Sequence, residues 1–377
     1  MNLSIQKLFF TLATIALLFA FLIVAKTILI PLGLALLLSF ILYPLAKKFG
    51  AWGVNEILAA LFSILTLFFL AGGAAYFFST QIIELTRELS DFQEKIMVLF
   101  SDVILYINNN LSFVPKLEKN ELLDRIQDWL KNSTGTLLKS TFSSTATILG
   151  QLLATIVYTF LILIYRKELT QAFLHFAPEA KRGRMQVMFK NVQHVGQKYL
   201  SGMVILILIL GFTNSIGLWI IGVDSPFLFG FLAATLSIIP YIGTTIGAGI
   251  PVLYAFMSND SLWVPLAVII LFWSVQLVES NFLSPRIVGS SVKVNALAAL
   301  LSLIIGATVW GVAGMILFLP FAAMSRVVCW EYEELKPVAL LIGDRNDLGG
   351  AEDNHFFSRI LEKLNKIPSK FRLFRKK

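Results

Sequence analysis

The chain contains 377 residues, of which 57% are hydrophobic and 14% are charged, and its formal net charge at pH 7 is +8. An average soluble domain carries charges on about 25% of its residues, so this composition excludes an ordinary water-soluble protein. A transmembrane barrel is excluded as well, because the apolar blocks lack the alternating ten-residue pattern of barrel strands. The sequence therefore predicts an all-α, polytopic membrane protein.

Eight hydrophobic blocks are long enough to be transmembrane helices, since a bilayer crossing takes about 20 residues at a rise of 1.5 Å. In chain order the blocks are 8–25, 27–43, 57–78, 146–165, 200–221, 227–257, 262–283 and 296–328. The first block follows Lys7, but no small-residue cleavage site comes before Lys26. We therefore interpret it as a retained helix and not as a signal peptide.

The basic residues indicate the orientation of these blocks. Lys7, the Lys47 and Lys48 pair, the segment 166–198 and the C-terminal tail fall on one side if the blocks alternate across the membrane. Excess Lys and Arg mark the cytoplasmic side, so both termini are predicted to be cytoplasmic. Because the bases lie between and after hydrophobic blocks, retention on that side explains the net charge, and nucleic-acid binding is not expected.

The chain divides into four predicted parts. Residues 1–78 hold the first three transmembrane helices, 79–145 form an extracytoplasmic amphipathic helical segment, 146–328 hold the core with the interrupted blocks, and 329–377 form a basic cytoplasmic tail. Between Ile82 and Tyr106, apolar residues recur at steps of three and four, which is typical of a helix that packs against another helix. The partner is either a second helix of the same chain or a second copy, which would make the protein a homo-oligomer.

The blocks 227–257 and 296–328 are too long for a simple crossing, and both are interrupted. The interrupting residues are Pro240, Gly243, Gly247, Gly249 and Pro251 in the first, and Gly306, Gly311, Gly314 and Pro320 in the second. Each block is either one long kinked helix or a re-entrant hairpin. The positive-inside rule favours hairpins, because they would place the connection with Arg286 and Lys293 in the cytoplasm.

The two interrupted blocks also resemble each other. Gly243-Thr244-Thr245-Ile246 is followed by Gly249 and Pro251, and Gly306-Ala307-Thr308-Val309 is followed by Gly314 and Pro320. Paired interrupted segments indicate a transport site, because unwound backbone supplies polar groups at membrane depth. The alternative is that these glycines only allow helices to pack closely.

Signatures of catalysis are missing from the sequence. It contains no Gly-Lys dipeptide, no His-Glu-x-x-His and no Gly-x-Ser-x-Gly, and its single cysteine is Cys329. These absences argue against a Walker A nucleotide site, a zinc protease, a serine hydrolase of the usual type, an internal disulfide and a multi-cysteine metal site. We expect no enzymatic activity, no cofactor and no bound metal.

Glu279 is the ionisable residue that most needs an explanation, because a charge at the bilayer centre costs about 2.5 to 3.5 kcal/mol on insertion scales. Gln276 lies three residues earlier on the same helical face, Asn281 follows closely, and Arg286 is near enough in sequence for a salt bridge. Glu279 either binds a cation, a proton or a polar solute, or forms a structural ion pair at the Pro285 turn. Asn214, inside the fifth block, must also find a polar partner.

Three stretches carry a family resemblance. They are Pro240-Tyr241-Ile242-Gly243, the segment from Glu279 through Pro285 and Arg286 to Gly289, and Gly306 to Gly314 followed by Leu317-Phe318-Leu319-Pro320. With the order of the hydrophobic blocks, they resemble the autoinducer-2 exporter family of inner-membrane permeases. The resemblance implies export of a small solute across a bacterial inner membrane without ATP. Some relatives are associated with autoinducer-2 and others with sodium/proton exchange.

We therefore predict a solute site between the interrupted sixth and eighth blocks and the Glu279 end of the seventh. Glu279 is the charged or proton-accepting group, Pro240 and Gly243 open the backbone, and Arg286 pairs with Glu279. Hydroxyl and amide groups at Thr244, Thr245, Asn214 and Asn281 are available to bind a hydroxyl-rich solute. The expected partners are the lipid bilayer and a small solute, or sodium and protons. The competing interpretation is a membrane scaffold that transports nothing.

Overall fold

The computed structural model describes residues 5–87, 149–239, 242–259, 261–289 and 294–343. These residues form helices, together with one isolated β-bridge between Val294 and Gly343. The prediction of an all-α polytopic protein is therefore confirmed. Outside the described residues lie the segment after Arg87 that is predicted to be external, most of the basic tail, Pro240 and Lys293. The helix pairing and self-association predicted for the segment after Arg87 therefore stay predictions.

The helices are numbered here in chain order. They are α1 Ile5–Val24, α2 Lys26–Ala51, α3 Glu56–Arg87, α4 Leu149–Ile164, α5 Arg166–His175, α6 Glu179–Ile221, α7 Pro226–Leu236, α8 Ile242–Ser258, α9 Trp263–Val278, α10 Ala296–Glu331 and α11 Lys336–Ile342. Two π-helical turns, Glu279–Leu283 and Pro285–Gly289, follow α9, and a 3₁₀ turn, Glu333–Leu335, precedes α11.

By length and composition, five described helical segments are able to cross a membrane. They are Lys26–Ala51, Glu56–Ile82, Glu179–Ile221, Trp263–Val288 and Ala296–Glu331, of which the last is interrupted at Gly311, and α4 with α5 would add a sixth only if that bent pair formed one span. Large apolar side chains cover the outside of the bundle, for example Phe69, which is 83% exposed, and Trp219, which is 68% exposed. Such a surface suits contact with lipid and not with water.

The sixth hydrophobic block folds back on itself. Helix α7 has 11 residues and is therefore only about 16 Å long, too short to cross a bilayer. The backbone of Gly243 lies against the carbonyl of Leu236, and a Cβ at Gly247 would come within 2.8 Å of the Cα of Ala233. These pairings are antiparallel, so α7, the turn and α8 form what we call the first hairpin.

The eighth block folds back as well, within α10. Gly311 has φ 61° and ψ −138°, a conformation that only glycine adopts easily, and it separates the arms 296–310 and 312–331. Gly306 and Gly314, one on each arm, lie backbone against backbone. We call this pair of arms the second hairpin. Of the two alternatives left open by the sequence, the structure shows the hairpin for both blocks.

The two hairpins open towards opposite ends of the bundle, because the single helix α9 runs from the end of the first to the start of the second. Helix α6 is the common support and contacts α2, α7, α9 and α10. Glycines let its neighbours approach closely: Gly211 faces the ring of Phe231 on α7, and Gly217 faces Leu271 on α9. This packing places the first hairpin and α9 side by side on α6.

Candidate functional site

A small cavity lies where α6, the first hairpin and α9 meet. Its volume is about 20 Å³, which is room for roughly one water molecule. The lining residues are Leu210 and Asn214 of α6, Ala233, Ala234, Ser237 and Thr244 of the first hairpin, and Phe272, Val275, Gln276 and Glu279 at the end of α9. The cavity therefore brings Glu279, Gln276, Asn214 and Thr244, four of the residues singled out in the sequence, to one place.

Glu279 is half-buried and lies where α9 changes from α-helical to π-helical geometry. A π-helical turn is wider than an α-helical turn and rotates the residues that follow it, and such turns often occur at functional sites. The second π-helical turn packs on α6, where a Cβ at Gly202 would come within 2.8 Å of the carbonyl oxygen of Ile287. Close packing at Gly202 thus fixes the end of the helix that carries Glu279.

Asn214 supplies the most buried polar group of the cavity, since only 4% of the residue is exposed. Its amide oxygen Oδ1 is buried and accepts no hydrogen bond from any described residue. The adjacent Ser215 is fully buried, and its hydroxyl donates to the carbonyl of Gly211 at 2.6 Å. The backbone of Gly230 lies against Ser215, so α7 is held tightly against this part of α6.

The first hairpin contributes its turn to the cavity. The Ser237 hydroxyl donates to the carbonyl of Ala234 at 2.7 Å, and Thr244 lies one residue after Gly243 at the start of α8. Ala233 and Ala234 present only methyl groups on this side. Small side chains at these two positions leave the space that the cavity occupies, and the predicted role of Pro240 lies outside the described residues.

The structure does not bring every predicted residue to this cavity. Asn281 is exposed and donates to the carbonyl of Leu277 at 2.8 Å, and Thr245 is also exposed. Arg286 is exposed, and among the described residues it forms no ion pair with Glu279. The expected pairing of Arg286 with Glu279 is therefore not seen in this structure.

The expected contribution of the eighth block is not seen in this cavity and stays a prediction. No residue of the second hairpin is among those that line the cavity. Gly306, Gly311, Gly314 and Pro320 act instead within the second hairpin: Gly311 makes its turn, Gly306 and Gly314 join its arms, and Pro320 is buried in its second arm. The cavity therefore lies between α6, the first hairpin and α9.

Sequence reasoning missed Ser237, Phe272 and Val275. Phe272 lies seven residues and Gln276 three residues before Glu279, which puts all three on one face of α9. That helical spacing was a signal that could have identified Phe272. Ser237 carried no such signal, because its place depends on where the hairpin turns.

The cavity's polar groups are oxygen and amide groups only: one carboxylate, two amides and two hydroxyls. Within the described residues, no three His, Cys, Asp or Glu side chains are grouped closely enough to hold a metal ion. A carboxylate in such a cavity is able to carry a proton or a monovalent cation, while the amides and hydroxyls donate and accept hydrogen bonds.

Comparison with known proteins gives a consistent result over nearly the whole chain. The model of a family described as AI-2E family transporter matches residues 12–334. YrrI of Bacillus subtilis (strain 168) is 28% identical over 314 residues, covering 82% of this chain and 87% of YrrI. TqsA of Escherichia coli (strain K12), which is named an AI-2 transport protein, is 24% identical over 328 residues, covering 85% of this chain and 91% of TqsA.

Proposed function

Because the chain belongs to the AI-2E transporter family, we propose that it is a secondary transporter whose binding site is the cavity beside Glu279. In this proposal a small polar solute leaves the cytoplasm across the inner membrane, and an ion gradient drives the transport. The family supports transport in general. The solute, its direction and the coupling ion belong to the proposal.

The observation that carries the proposal is the juxtaposition of Glu279 with the unsatisfied amide oxygen of Asn214. A buried acceptor without a partner costs about 1 to 3 kcal/mol, a cost that a binding site accepts and a structural core normally avoids. An occupant that donates a hydrogen bond or carries positive charge would offset this cost. The cavity is thus suited to a proton carrier, a monovalent cation or a hydroxyl group.

The size of the cavity favours sodium/proton antiport as a second candidate. A volume of about 20 Å³ accommodates a sodium ion or a water molecule but not an organic solute such as autoinducer-2. Transport of AI-2, which the name of the relative TqsA mentions, would require the first hairpin to move away from α9. Ser237 at the end of α7 and Thr244 at the start of α8 line the cavity, so such a movement would widen it on the hairpin side.

Flux measurements on purified protein in liposomes test the proposal. Uptake and release of sodium, protons and a panel of small polar metabolites, including autoinducer-2, are followed under imposed sodium and proton gradients. We expect saturable flux of at least one of these species, coupled to one of the gradients. Glu279→Gln should lower this flux by more than about tenfold, because the amide can neither be deprotonated nor neutralise a cation.

The matched control is Glu334→Gln, which makes the same change at an exposed position near α11. It should transport at the parental rate, and both variants should insert and purify in equal yield. Equal flux in Glu279→Gln and the parent would show that Glu279 is structural. Absence of flux for every species and both gradients would favour the membrane scaffold, and unsaturable flux would indicate a passive channel.

The proposed orientation has its own test, which uses the single native cysteine. In a Cys329→Ser background, Lys26→Cys lies at the start of α2, and Lys48→Cys lies near the opposite end of α2. A membrane-impermeant thiol reagent should label Lys26→Cys in intact cells and Lys48→Cys only after permeabilisation. The reverse labelling pattern would place both termini outside the cytoplasm.

A further inference from the structure

Helix α5 leaves the bundle at a steep angle. It follows α4 directly after Tyr165, and the two helix axes differ by 70°. Since α4 is apolar and continues the bundle, a helix at this angle runs close to the plane of the membrane. Its sequence, RKELTQAFLH, is too polar to lie within the hydrocarbon layer, so the membrane surface is the place that its composition allows.

One face of this helix is apolar and uncovered. Leu169, Phe173 and Phe176 follow each other at steps of four and three, which puts them on one side of the helix. Their exposed fractions are 43%, 53% and 86%. Phe173 also contacts the ring of Phe189 on α6, with centroids 5.8 Å apart, so the orientation of α5 is fixed against the bundle.

The surroundings of this face are strongly basic. The segment 166–198 contains seven bases and two acids, and Lys181 and Lys190 are exposed. Two bases tie this region to other helices: Lys167 pairs with Glu56 at the start of α3, and Arg184 pairs with Glu331 at 2.7 Å. Lys190 directly follows Phe189, the ring that contacts Phe173, and Lys181 lies in the first turn of α6, so exposed positive charge follows the apolar face along the chain.

From this arrangement we propose that α5 and the first turns of α6 form a binding surface for anionic phospholipids. The side chains of Leu169, Phe173 and Phe176 enter the boundary between headgroups and acyl chains, and Lys181 and Lys190 attract the lipid phosphates. Apolar anchors combined with basic side chains are the two features that hold a helix at an anionic membrane surface. This inference is independent of the solute that the cavity binds.

Spin labels test where the apolar face lies. In the Cys329→Ser background, a nitroxide is attached to Phe176→Cys or, as the matched control on the opposite face, to Gln171→Cys, and each protein is reconstituted in liposomes. We expect the label at 176 to collide mainly with oxygen, which concentrates in lipid, and the label at 171 mainly with a water-soluble nickel complex. A label at 176 that is equally accessible to the nickel complex, or shielded from both by protein, would overturn the proposal.

Lipid preference tests the role of the lysines. The protein is extracted from liposomes of phosphatidylcholine and phosphatidylglycerol, and the retained lipids are counted by native mass spectrometry. The double variant Lys181→Gln/Lys190→Gln should lose about fivefold in phosphatidylglycerol preference for each lysine removed. Lys26→Gln, an exposed lysine at the other end of the bundle, should change little. Equal preference in the double variant and the parent would show that these lysines do not hold anionic lipid.

Discussion

The two hairpins differ in the length of their turns and in what their small residues do. In the first hairpin, five residues separate Leu236 from Ile242, and the small residues Ala233 and Ala234 leave space beside the turn. In the second hairpin, the single residue Gly311 makes the turn, and Gly306 and Gly314 close the arms onto each other. Glycines bring the two arms into close contact in both hairpins, and only in the first do small side chains also line the cavity.

The ends of the hairpins are held in different ways too. Helix α7 has no side-chain cap of its own, and the amide oxygen of Gln81 on α3 accepts the backbone N–H of Leu228 at 3.0 Å. The second hairpin begins with Asn295, whose own side chain caps α10 and also binds the end of α11. The hairpin that lines the cavity is therefore held through a separate helix, whereas the other is held by segments next to it.

The similar sequence motifs of the sixth and eighth blocks do not occupy equivalent positions in the two hairpins. Gly243 begins the second arm of its hairpin, directly after the turn, whereas Gly306 lies in the first arm, five residues before the turn at Gly311. Close packing of glycines occurs in both hairpins, and the transport site that the similar motifs indicate stays a prediction. The first block contributes Thr244 to a polar cavity, and the second uses its glycines for close packing.

The glycine contact that closes the second hairpin should be highly sensitive to substitution. In Gly314→Ala, the new methyl group would meet the backbone of Gly306, which cannot move aside as a side chain would. We expect the free energy of unfolding to fall by about 3 kcal/mol or more. Thermal unfolding of the purified protein in lipid nanodiscs measures the effect.

The control for this change lies in the first hairpin. Gly249 is exposed, and a Cβ there would meet nothing within 4 Å. Gly249→Ala should leave stability unchanged or raise it by up to about 1 kcal/mol, because alanine favours the helix. Equal destabilisation by both substitutions would mean that the contact between Gly314 and Gly306 does not account for the effect of Gly314→Ala.

Much of the fold could be predicted from the sequence because it depends on local composition. The apolar blocks, the interruptions at Gly311 and between Leu236 and Ile242, and the isolated acid Glu279 are all visible in the sequence. Helix length and the positive-inside rule were sufficient to favour hairpins over kinked helices. Gln276 and Glu279 lie three residues apart at the end of one helix, so their spacing in the sequence was sufficient to identify them together.

The rest depends on contacts between distant segments, which spacing along the chain does not reveal. The pairing of Arg286 with Glu279 was expected from their closeness in sequence, and the structure, in which two π-helical turns follow α9, does not show it. The unsatisfied oxygen of Asn214 and the capping of α7 by Gln81 arise only when α3, α6 and the first hairpin come together.

The connection of the second hairpin to α11 should contribute less than its glycine contact. The Asn295 side chain accepts from the N–H of Ala298 at 2.8 Å and donates to the carbonyls of Leu341 and Gly343 at 2.7 and 2.9 Å. Asn295→Ala loses the cap and both other bonds, and we expect about 2 kcal/mol of destabilisation. Asn295→Asp keeps the cap but not the two donated bonds, so thermal unfolding should place it between the parent and Asn295→Ala. If the two variants were equally unstable, the contact with α11 and not the cap would hold this end.

The hydrogen bond between Gln81 and α7, at the start of the first hairpin, should contribute least to the free energy of unfolding. Its loss should affect transport more than stability. Gln81→Ala removes the only side-chain cap that the described residues provide for α7, which should cost about 1 kcal/mol. Because α7 carries Ala233 and Ala234 to the cavity, a displaced α7 should weaken solute binding, raising KM in the liposome assay. Gln81→Glu keeps an acceptor at the positive end of the helix and should restore the parental KM.

Ser79→Ala, an exposed change on α3 that removes only a bond to the carbonyl of Tyr76, should leave KM unchanged. If Gln81→Ala and Gln81→Glu had the parental KM, the aromatic contacts of Phe77 with Phe227 and of Phe78 with Phe231 would be sufficient to hold α7 against α3.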